Sequence, residues 1–416
     1  MKKTLVMIVI CLMSMSLFSQ TYYLRDIVNH GLENSISMIR SQNTITNAKN
    51  ESAISYFDLL PSATYSAAYT NPSRFDDYFS SSLSISKSFQ LNEPTYFNIR
   101  QRNIDKRISN LRHEDLQKKV AMDILTEYIE IIRQIKNIEI MDENLRLQKR
   151  IYDQVKIQFD SGRKTIYELQ QSQLDTLTTY IQLLELNDNL ARQRENLFFM
   201  INMPDKGYPL EEFDFVIHEE VNIDLSNKNL SLQTSELSIQ QSKLSLQSQY
   251  LGLFPYLSAG YSWGASYQEH SLSDKFLVPN NYYESGTFSV NLSYPLFSYL
   301  NQGIRYRISK RNFNLSLMEF DDTEAKVNQQ ITQLKTDLDR LKRTYGLYQQ
   351  RLDLARINLQ IAEERFVLGI ISHFDLDRAR VDYLQSEYQL TNQFYTLIKK
   401  QEDLNYLTSN TILGIW

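Results

Sequence analysis

Four short segments of the chain alternate apolar and polar side chains with a period of two. In the clearest one, Leu257, Tyr261 and Trp263 share one parity, while serines and glycines take the other. A period of two places alternate side chains on opposite faces of a β-strand. The pattern therefore predicts strands with one apolar face and one small polar face. The predicted strands lie at about 62–70, 80–89, 256–268 and 285–295.

These two-faced strands allow two interpretations. In an ordinary soluble sheet the apolar face would pack on a core. In a membrane barrel the apolar face would meet lipid, and the polar face would line a wet lumen. Each segment has about 8–12 residues, the length that a tilted barrel strand requires.

Long helices account for most of the remaining chain. From Val327 to Phe366, apolar residues recur in alternating steps of three and four, which indicates a left-handed coiled coil. A helix over about 299–367 would be roughly 100 Å long. The first-half helix, at about 95–159, carries two apolar stripes, which favours neighbours on both sides, as in a closed ring of helices. An antiparallel bundle without a lumen fits the same periodicity. The stripes are Val120, Ile124, Tyr128, Ile131, Ile135 and Ile138, and Leu125, Ile129 and Ile132.

The two halves of the chain resemble each other. The segment FDSGRKTIYEL aligns with FVLGIISHFDL, and their glycines, Gly162 and Gly369, stand 207 positions apart. LLPSATYSAAY likewise resembles LFPYLSAGYSW, and each has a proline directly before the first predicted strand of its half. Each half is therefore predicted to be one structural repeat. The predicted segments are a signal peptide at 1–19, a first repeat at 20–203 with a turn at 160–164, a connecting segment at 204–222, and a second repeat at 223–416 with a turn at 368–372.

The N-terminus and the overall charge narrow the class of protein. Lys2 and Lys3 precede an apolar run from Leu5 to about Leu17, with a plausible cut after Ser19, as in a cleaved secretory signal. An uncleaved anchor is the alternative. The only cysteine, Cys11, lies in that run, so a mature chain would have no disulfide or thiolate metal site. The net charge is −5, or −7 without the two lysines, which argues against a nucleic-acid partner.

Strand number predicts an oligomer if the sheet enters a membrane. Unpaired strand edges in hydrocarbon cost several kcal/mol per group, so a membrane sheet must close. Four strands per chain are too few, because the smallest bacterial barrels have about eight. A dimer would supply eight strands and a filled interior, whereas a trimer would supply twelve and room for a lumen. The small Ser/Gly faces favour the open lumen.

Together these features resemble the TolC-type outer-membrane efflux protein family. The resemblance covers essentially the whole mature chain, and the two glycine turns and the YPLF segment at 294–297 are its most specific parts. It implies a mainly α fold with a small membrane β-barrel: a trimeric α-helical barrel continued by a twelve-stranded β-barrel. It also implies an outer-membrane location with a long periplasmic extension, a periplasmic adaptor protein and an inner-membrane pump of the RND or ABC type.

The resemblance assigns residues to three roles. The turns would dock the adaptor, through Ser161, Gly162, Arg163, Leu368, Gly369 and Ile370. Acids after the turns would form a pore constriction, at Glu168, Asp375 and Asp377. Aromatic residues of the third strand, Tyr261, Trp263 and Tyr267, would form a membrane girdle.

The same residues also have local structural explanations. Gly162 and Gly369 follow helices and suit a left-handed C-terminal cap. Thr165 with Glu168, and Ser372 with Asp375, fit the capping-box pattern at a helix start.

Function is expected to be transport without catalysis. The sequence has no P-loop, no G-x-S-x-G motif and no zinc-protease motif, and the histidines lack metal spacing. No cofactor is predicted. The expected role is a passive exit duct for small molecules in a tripartite efflux system. A protein-secretion duct and a non-conducting, envelope-spanning structural coiled coil are the alternatives.

Overall fold

The computed structural model describes residues 21–70, 78–90, 94–212, 215, 217, 229–269, 283–294, 298–368 and 370–408. The predicted signal peptide and Gly369 lie outside these residues. In chain order the elements are α1 (Leu24–Asn34), α2 (Ile36–Phe57), β1 (Ser62–Thr70), β2 (Tyr78–Gln90), α3 (Pro94–Asp160), α4 (Ile166–Met200), α5 (Leu230–Leu251), β3 (Tyr256–Glu269), β4 (Tyr283–Ser293), α6 (Ser298–Val367) and α7 (His373–Leu407). Each strand starts and ends within two residues of its predicted position.

The four strands form one antiparallel sheet in the order β1-β2-β3-β4. Tyr65 lies opposite Leu83, and Leu83 lies opposite Ala265. Tyr261 of β3 lies opposite Phe288 of β4. This register brings the apolar parity of every strand to one face of the sheet, which confirms the predicted alternation.

The heptad pattern of α6 forms a packing seam, as predicted. Val327, Ile331 and Leu338 are buried and pack against Leu397 and Leu404 of α7. Every seam position from Val327 to Phe366 is buried or half-buried. Apolar residues at steps of three and four thus give α6 one continuous contact face.

The two stripes of α3 also enter a core. Ile124, Tyr128 and Ile129 are fully buried. The surrounding cluster includes Leu24 of α1 and Ile398 of α7. A helix with neighbours on two sides needs this wider apolar surface, so the prediction from the double stripe is confirmed.

The connecting segment is held to the start of the chain. The N–H of Tyr22 donates to the carbonyl of Pro209 at 2.9 Å, and the N–H of Glu211 donates to Tyr22 at 3.0 Å. Nearby, the Arg194 guanidinium binds the Asp205 carboxylate through two hydrogen bonds of 2.9 and 2.8 Å. The described part of this segment is therefore held in place by hydrogen bonds to Tyr22 and Arg194.

The chain divides into two compact units. One contains residues 1–40, 114–229 and 326–416, including both helix turns. The other contains residues 41–113 and 230–325, including the sheet. Each predicted repeat contributes to both units, and the division into repeats stays a prediction. Among the described residues, no helix has the length and apolar character needed to cross a membrane.

Candidate functional site

The first helix turn is closed by a Schellman motif. The N–H of Gly162 donates to the carbonyl of Phe159 at 2.8 Å, and the N–H of Arg163 donates to that of Gln158 at 2.8 Å. Gly162 has a φ of +73°, in the left-handed region that favours glycine. The cap predicted for this glycine is confirmed. Ser161, Gly162 and Arg163 are all exposed.

A capping box starts α4 directly after this turn. The N–H of Thr165 donates to Glu168 Oε2 at 2.9 Å, and the N–H of Glu168 donates to Thr165 Oγ1 at 3.3 Å. Lys164 Nζ also donates to Glu168 Oε1 at 2.5 Å. The Lys164 hydrogen bond, followed by those from Thr165, lowers the pKa of Glu168 to about 2. At neutral pH the Glu168 carboxylate is therefore ionised, and its hydrogen bonds go to the neighbouring Lys164 and Thr165.

The second turn repeats this geometry 207 positions later. The N–H of Ile370 donates to the carbonyl of Arg365 at 2.9 Å, the equivalent of the Arg163–Gln158 bond. The Ser372 hydroxyl donates to Asp375 Oδ2 at 2.7 Å, and the N–H of Asp375 donates to Ser372 Oγ at 3.2 Å. Hydrogen bonds from the Ser372 side chain and backbone lower the pKa of Asp375. Both capping boxes predicted from the sequence are confirmed.

The two turns lie next to each other. Lys164 Nζ of the first turn sits 5.9 Å from the centroid of the Phe374 ring, which follows the second turn. Neither residue is among those the sequence assigned to docking. The only sequence signal for Lys164 is its position four residues before Glu168, and nothing local marks Phe374.

The surface of the paired turns is largely apolar. Seven large hydrophobic side chains are more than half exposed there, with Leu368 at 72%. They are Ile157, Ile166, Tyr167, Val367, Leu368, Ile370 and Phe374. Arg163 and Lys164 add positive charge. We call these residues the tip surface. Exposed apolar clusters of this kind are typical of surfaces that contact other molecules.

Asp377 occupies a different environment from the two capping acids. It is 2% exposed, and Arg380 Nη1 lies 3.4 Å from its Oδ1. Arg380 Nη2 also lies 3.5 Å from Glu363 of α6. Asp377 therefore belongs to an ion-pair network between α6 and α7. This burial gives the carboxylate a structural role that the sequence did not suggest.

The sheet has one apolar and one hydroxyl face. On the apolar face, Tyr261 is 55% exposed and Trp263 is half-buried. The side chain of Tyr267 lies outside the described residues. The charged side chain of Lys87 also lies on this face, where Nζ donates to the carbonyl of Asp58 at 2.8 Å. A broad exposed apolar face suits contact with lipid better than contact with water.

The opposite face consists of small polar residues in register. Ser62 and Ser86 hydroxyls lie 2.9 Å apart, and Ser66 and Ser82 hydroxyls lie 2.7 Å apart. Among the described strand residues, no Lys, Arg, Asp or Glu falls on this face. One cross-strand row contains Ser62, Ser86, Ser262 and Thr287.

Hydrogen bonds define the order of the long helices in the first unit. Gln134 of α3 donates to the carbonyl of Leu186 in α4 at 2.8 Å, and Asn137 of α3 donates to Asn392 of α7 at 3.0 Å. Arg351 of α6 donates to Gln389 of α7. The order is therefore α4–α3–α7–α6, and α4 and α6 lie at the two edges.

Both edge helices expose an apolar stripe with coiled-coil spacing. On α4 the stripe has steps of three, four and three, and on α6 it has steps of seven, three and four. Each of these side chains is 41–65% exposed in the single chain. The α4 stripe is Leu174, Leu177, Ile181 and Leu184, and the α6 stripe is Leu347, Leu354, Ile357 and Ile361.

Within the described residues, no group of His, Cys, Asp and Glu side chains has an arrangement that could hold a metal ion. The chemistry of the tip surface and sheet is that of contact surfaces.

The second half of the chain matches a known family. Residues 224–409 match the family model described as outer membrane efflux protein. None of the curated proteins matches the chain.

Several solved outer-membrane channels share the fold. The CmeC outer membrane channel of Campylobacter jejuni has a TM-score of 0.79 and 17% identity, with 92% of this chain and 85% of that chain covered. The outer membrane protein VceC of Vibrio cholerae has a TM-score of 0.78 and 13% identity, over 94% and 96%. The open-state MtrE outer membrane channel of Neisseria gonorrhoeae has a TM-score of 0.78 and 12% identity, over 93% and 89%.

The four-stranded sheet with its long helices is thus the fold that these outer-membrane channels share. The predicted resemblance to TolC-type outer-membrane efflux proteins is confirmed, with the sequence match falling in the second repeat. The predicted location, the outer membrane with a periplasmic helical extension, agrees with both findings. The matched family model is that of outer membrane efflux proteins, and the matched folds are those of outer-membrane channels.

Proposed function

We propose that three copies of this chain form a passive exit duct in the outer membrane. The observation that carries this proposal is that the single chain leaves matching edges open. Strands β1 and β4 are the outer strands of the sheet that the described residues form, and helices α4 and α6 expose apolar stripes. In a closed ring of copies, β1 of one copy pairs with β4 of the next, and the apolar stripes of α4 and α6 pack against each other.

The sheet supports three copies rather than two. An open edge in hydrocarbon leaves backbone N–H and C=O groups without partners, so β1 of one copy must pair with β4 of the next. Eight strands would produce an interior filled by side chains. The hydroxyl face carries serines and glycines, which are too small to fill it. Twelve strands leave a water-filled lumen lined by these residues.

The helical stripes support the same assembly. Leu177 lies eleven residues after Ile166, and Leu354 lies thirteen residues before Val367, so both stripes stand at similar distances from the turns. An α4 helix of one copy can therefore pair antiparallel with α6 of the next through heptad contacts. Head-to-tail contacts of this kind close into a ring when the rotation permits.

The tip surface is the proposed docking site of a periplasmic adaptor. Its apolar side chains need a partner, and Arg163 and Lys164 favour one that carries acids beside its apolar contact. The adaptor would couple the duct to an inner-membrane pump, of the RND or ABC type, that supplies the energy. Glu168 and Asp375 would ring the entrance three times each, and the Asp375 charges would attract cations. Small-molecule export is the proposed task, and protein secretion is the alternative.

Ion currents test conduction directly. Purified protein added to a planar lipid bilayer should produce discrete current steps. A trimeric protein that inserts and stays silent under all voltages would instead identify a non-conducting structural coiled coil.

Cross-linking tests the docking site. Ser161→Cys and Ser372→Cys place single cysteines at the turns of a mature chain that would have none of its own. Cross-linking in living cells should capture an adaptor protein that mass spectrometry identifies. Thr332→Cys, on the exposed side of α6 away from the turns, is the matched control. An adaptor of an ATP-driven exporter would favour secretion, and equal capture by the control would contradict docking at the tips.

A further inference from the structure

An open groove of about 480 Å³ lies beside the sheet, where the helices begin and end. It is lined by the start of α3, the end of α5 and the start of α6. Its lining residues are Tyr96, Phe97, Arg100, Leu246, Gln247, Tyr250, Leu251 and Tyr306. This volume is in the range of about 300–1,000 Å³ that is typical of ligand pockets.

The groove combines an apolar floor with a polar rim. Phe97, Leu246 and Leu251 supply hydrocarbon surface. The Tyr250 ring lies 6.0 Å from the Tyr306 ring, so two phenols stand together on one side. Amphipathic aromatic side chains of this kind suit a boundary between lipid and water.

Arg100 is the charged group of the groove. Its Nη1 donates to the Tyr96 hydroxyl at 3.2 Å, and its guanidinium carbon lies 5.6 Å from the Tyr96 ring centroid. The side chain is exposed, and within the described part of the chain no acidic residue pairs with it. A guanidinium has five N–H donors arranged to bind phosphate, and most of these remain available.

Helix periodicity extends this positive charge along the same surface. Arg107 is seven residues after Arg100, Lys243 is seven before Tyr250, and Lys310 is four after Tyr306. These intervals place each basic residue on the helix face that borders the groove. All three side chains are exposed. Acids outnumber bases over the whole chain, so this local excess of basic residues is not a general property of the sequence.

We propose that this groove binds an anionic phospholipid from the membrane surface. The phosphate contacts Arg100, with Arg107, Lys243 and Lys310 adding attraction, and an acyl chain lies on the apolar floor. Two observations select this occupant: the positive charge complements a lipid phosphate, and the groove adjoins the sheet whose apolar face suits lipid. The inference rests on the proposed membrane insertion of the sheet.

Native mass spectrometry of the detergent-solubilised full chain tests the site. Phosphatidylglycerol should remain bound, whereas phosphatidylcholine should bind several-fold more weakly. Arg100→Gln should weaken phosphatidylglycerol binding at least about fivefold, since one basic residue at a lipid surface contributes about this factor. Arg100→Lys should recover part of the loss, because it restores the charge without the planar fork.

Arg112→Gln is the matched control, with the same charge change on an exposed arginine of the same helix outside the groove. Equal loss from both variants would show general charge attraction and overturn the site, as would equal binding of the two lipids by the wild type. If Arg100→Gln does not fold, Leu246→Asn tests the acyl floor and should weaken binding of phosphatidylglycerol. If the protein retains phosphatidylglycerol but produces no bilayer current, the lipid site is supported and only the proposed conduction is refuted.

Discussion

At the scale of single residues, the turns depend on backbone conformation more than on side-chain contacts. A Cβ at Gly162 would meet no atom within 4 Å, yet φ is +73°. Gly162→Ala should therefore cost only the left-handed backbone strain, about 1–2 kcal/mol. A lower midpoint of thermal unfolding, followed by circular dichroism, measures this loss.

Gly303 provides the control for that substitution. It lies inside α6, and a Cβ there also meets no atom within 4 Å. Gly303→Ala should raise the midpoint, since alanine is favoured over glycine in a helix by about 1 kcal/mol. Equal effects of the two variants would contradict the assigned role of Gly162.

The Glu168 cap predicts a defined pH dependence. Its pKa falls from 4.5 to about 2 because Lys164 and Thr165 donate to the carboxylate. A depressed pKa means that the ionised group stabilises the fold above pH 4.5, and that this contribution is lost as the pH falls toward 2. The gap in unfolding midpoint between wild type and Glu168→Gln should stay constant from pH 7 to 5 and close below that. Glu185→Gln, the same substitution on the exposed side of α4 away from its cap, is the control.

At the scale of whole elements, the edge helices make the most direct prediction. Leu177→Cys combined with Leu354→Cys should form covalent dimers and trimers with a short bis-maleimide, because α4 and α6 of neighbouring copies pair there. Non-reducing electrophoresis displays the products. Gln182→Cys with Leu354→Cys is the control, since Gln182 lies on α4 outside the apolar stripe. Cross-linking of the control pair alone would refute the helix pairing.

Local periodicity explains why the elements could be predicted. Alternation placed every strand within two residues, and the α6 heptads identified its contact seam, because both signals depend on neighbouring positions only. Similarly, Thr165 and Glu168 determine their cap within four residues. The contact of Lys164 with Phe374 and the burial of Asp377 depend on which helices lie side by side. That choice is made by packing over long sequence distances, and no short pattern records it.

At the scale of the whole molecule, charged side chains of the proposed duct lie at the helix turns, and the hydroxyl face of the sheet carries none among the described residues. The hydroxyl face of the described sheet is neutral, whereas the turns carry the ionised Asp375 and Glu168. A neutral wall discriminates weakly between ions, so selectivity should arise at the turns. Three copies repeat Asp375 three times and would concentrate cations there, whereas the charge of Glu168 is paired with Lys164 of its own turn.

Substitution of the two neighbouring acids of α7, Asp375 and Asp377, distinguishes a role at the entrance of the duct from a role in stability. Asp375→Asn should shift the zero-current potential in a salt gradient toward that of a non-selective pore, because it removes one negative charge per copy from the entrance. Asp377→Asn should leave that potential unchanged and instead lower thermal stability, because its carboxylate is buried beside Arg380. Both variants remove one carboxylate within the first two turns of the same helix, so they differ in environment rather than in charge. Equal shifts from both variants would place Asp377 in the conducting path and contradict the structural role assigned to its buried carboxylate.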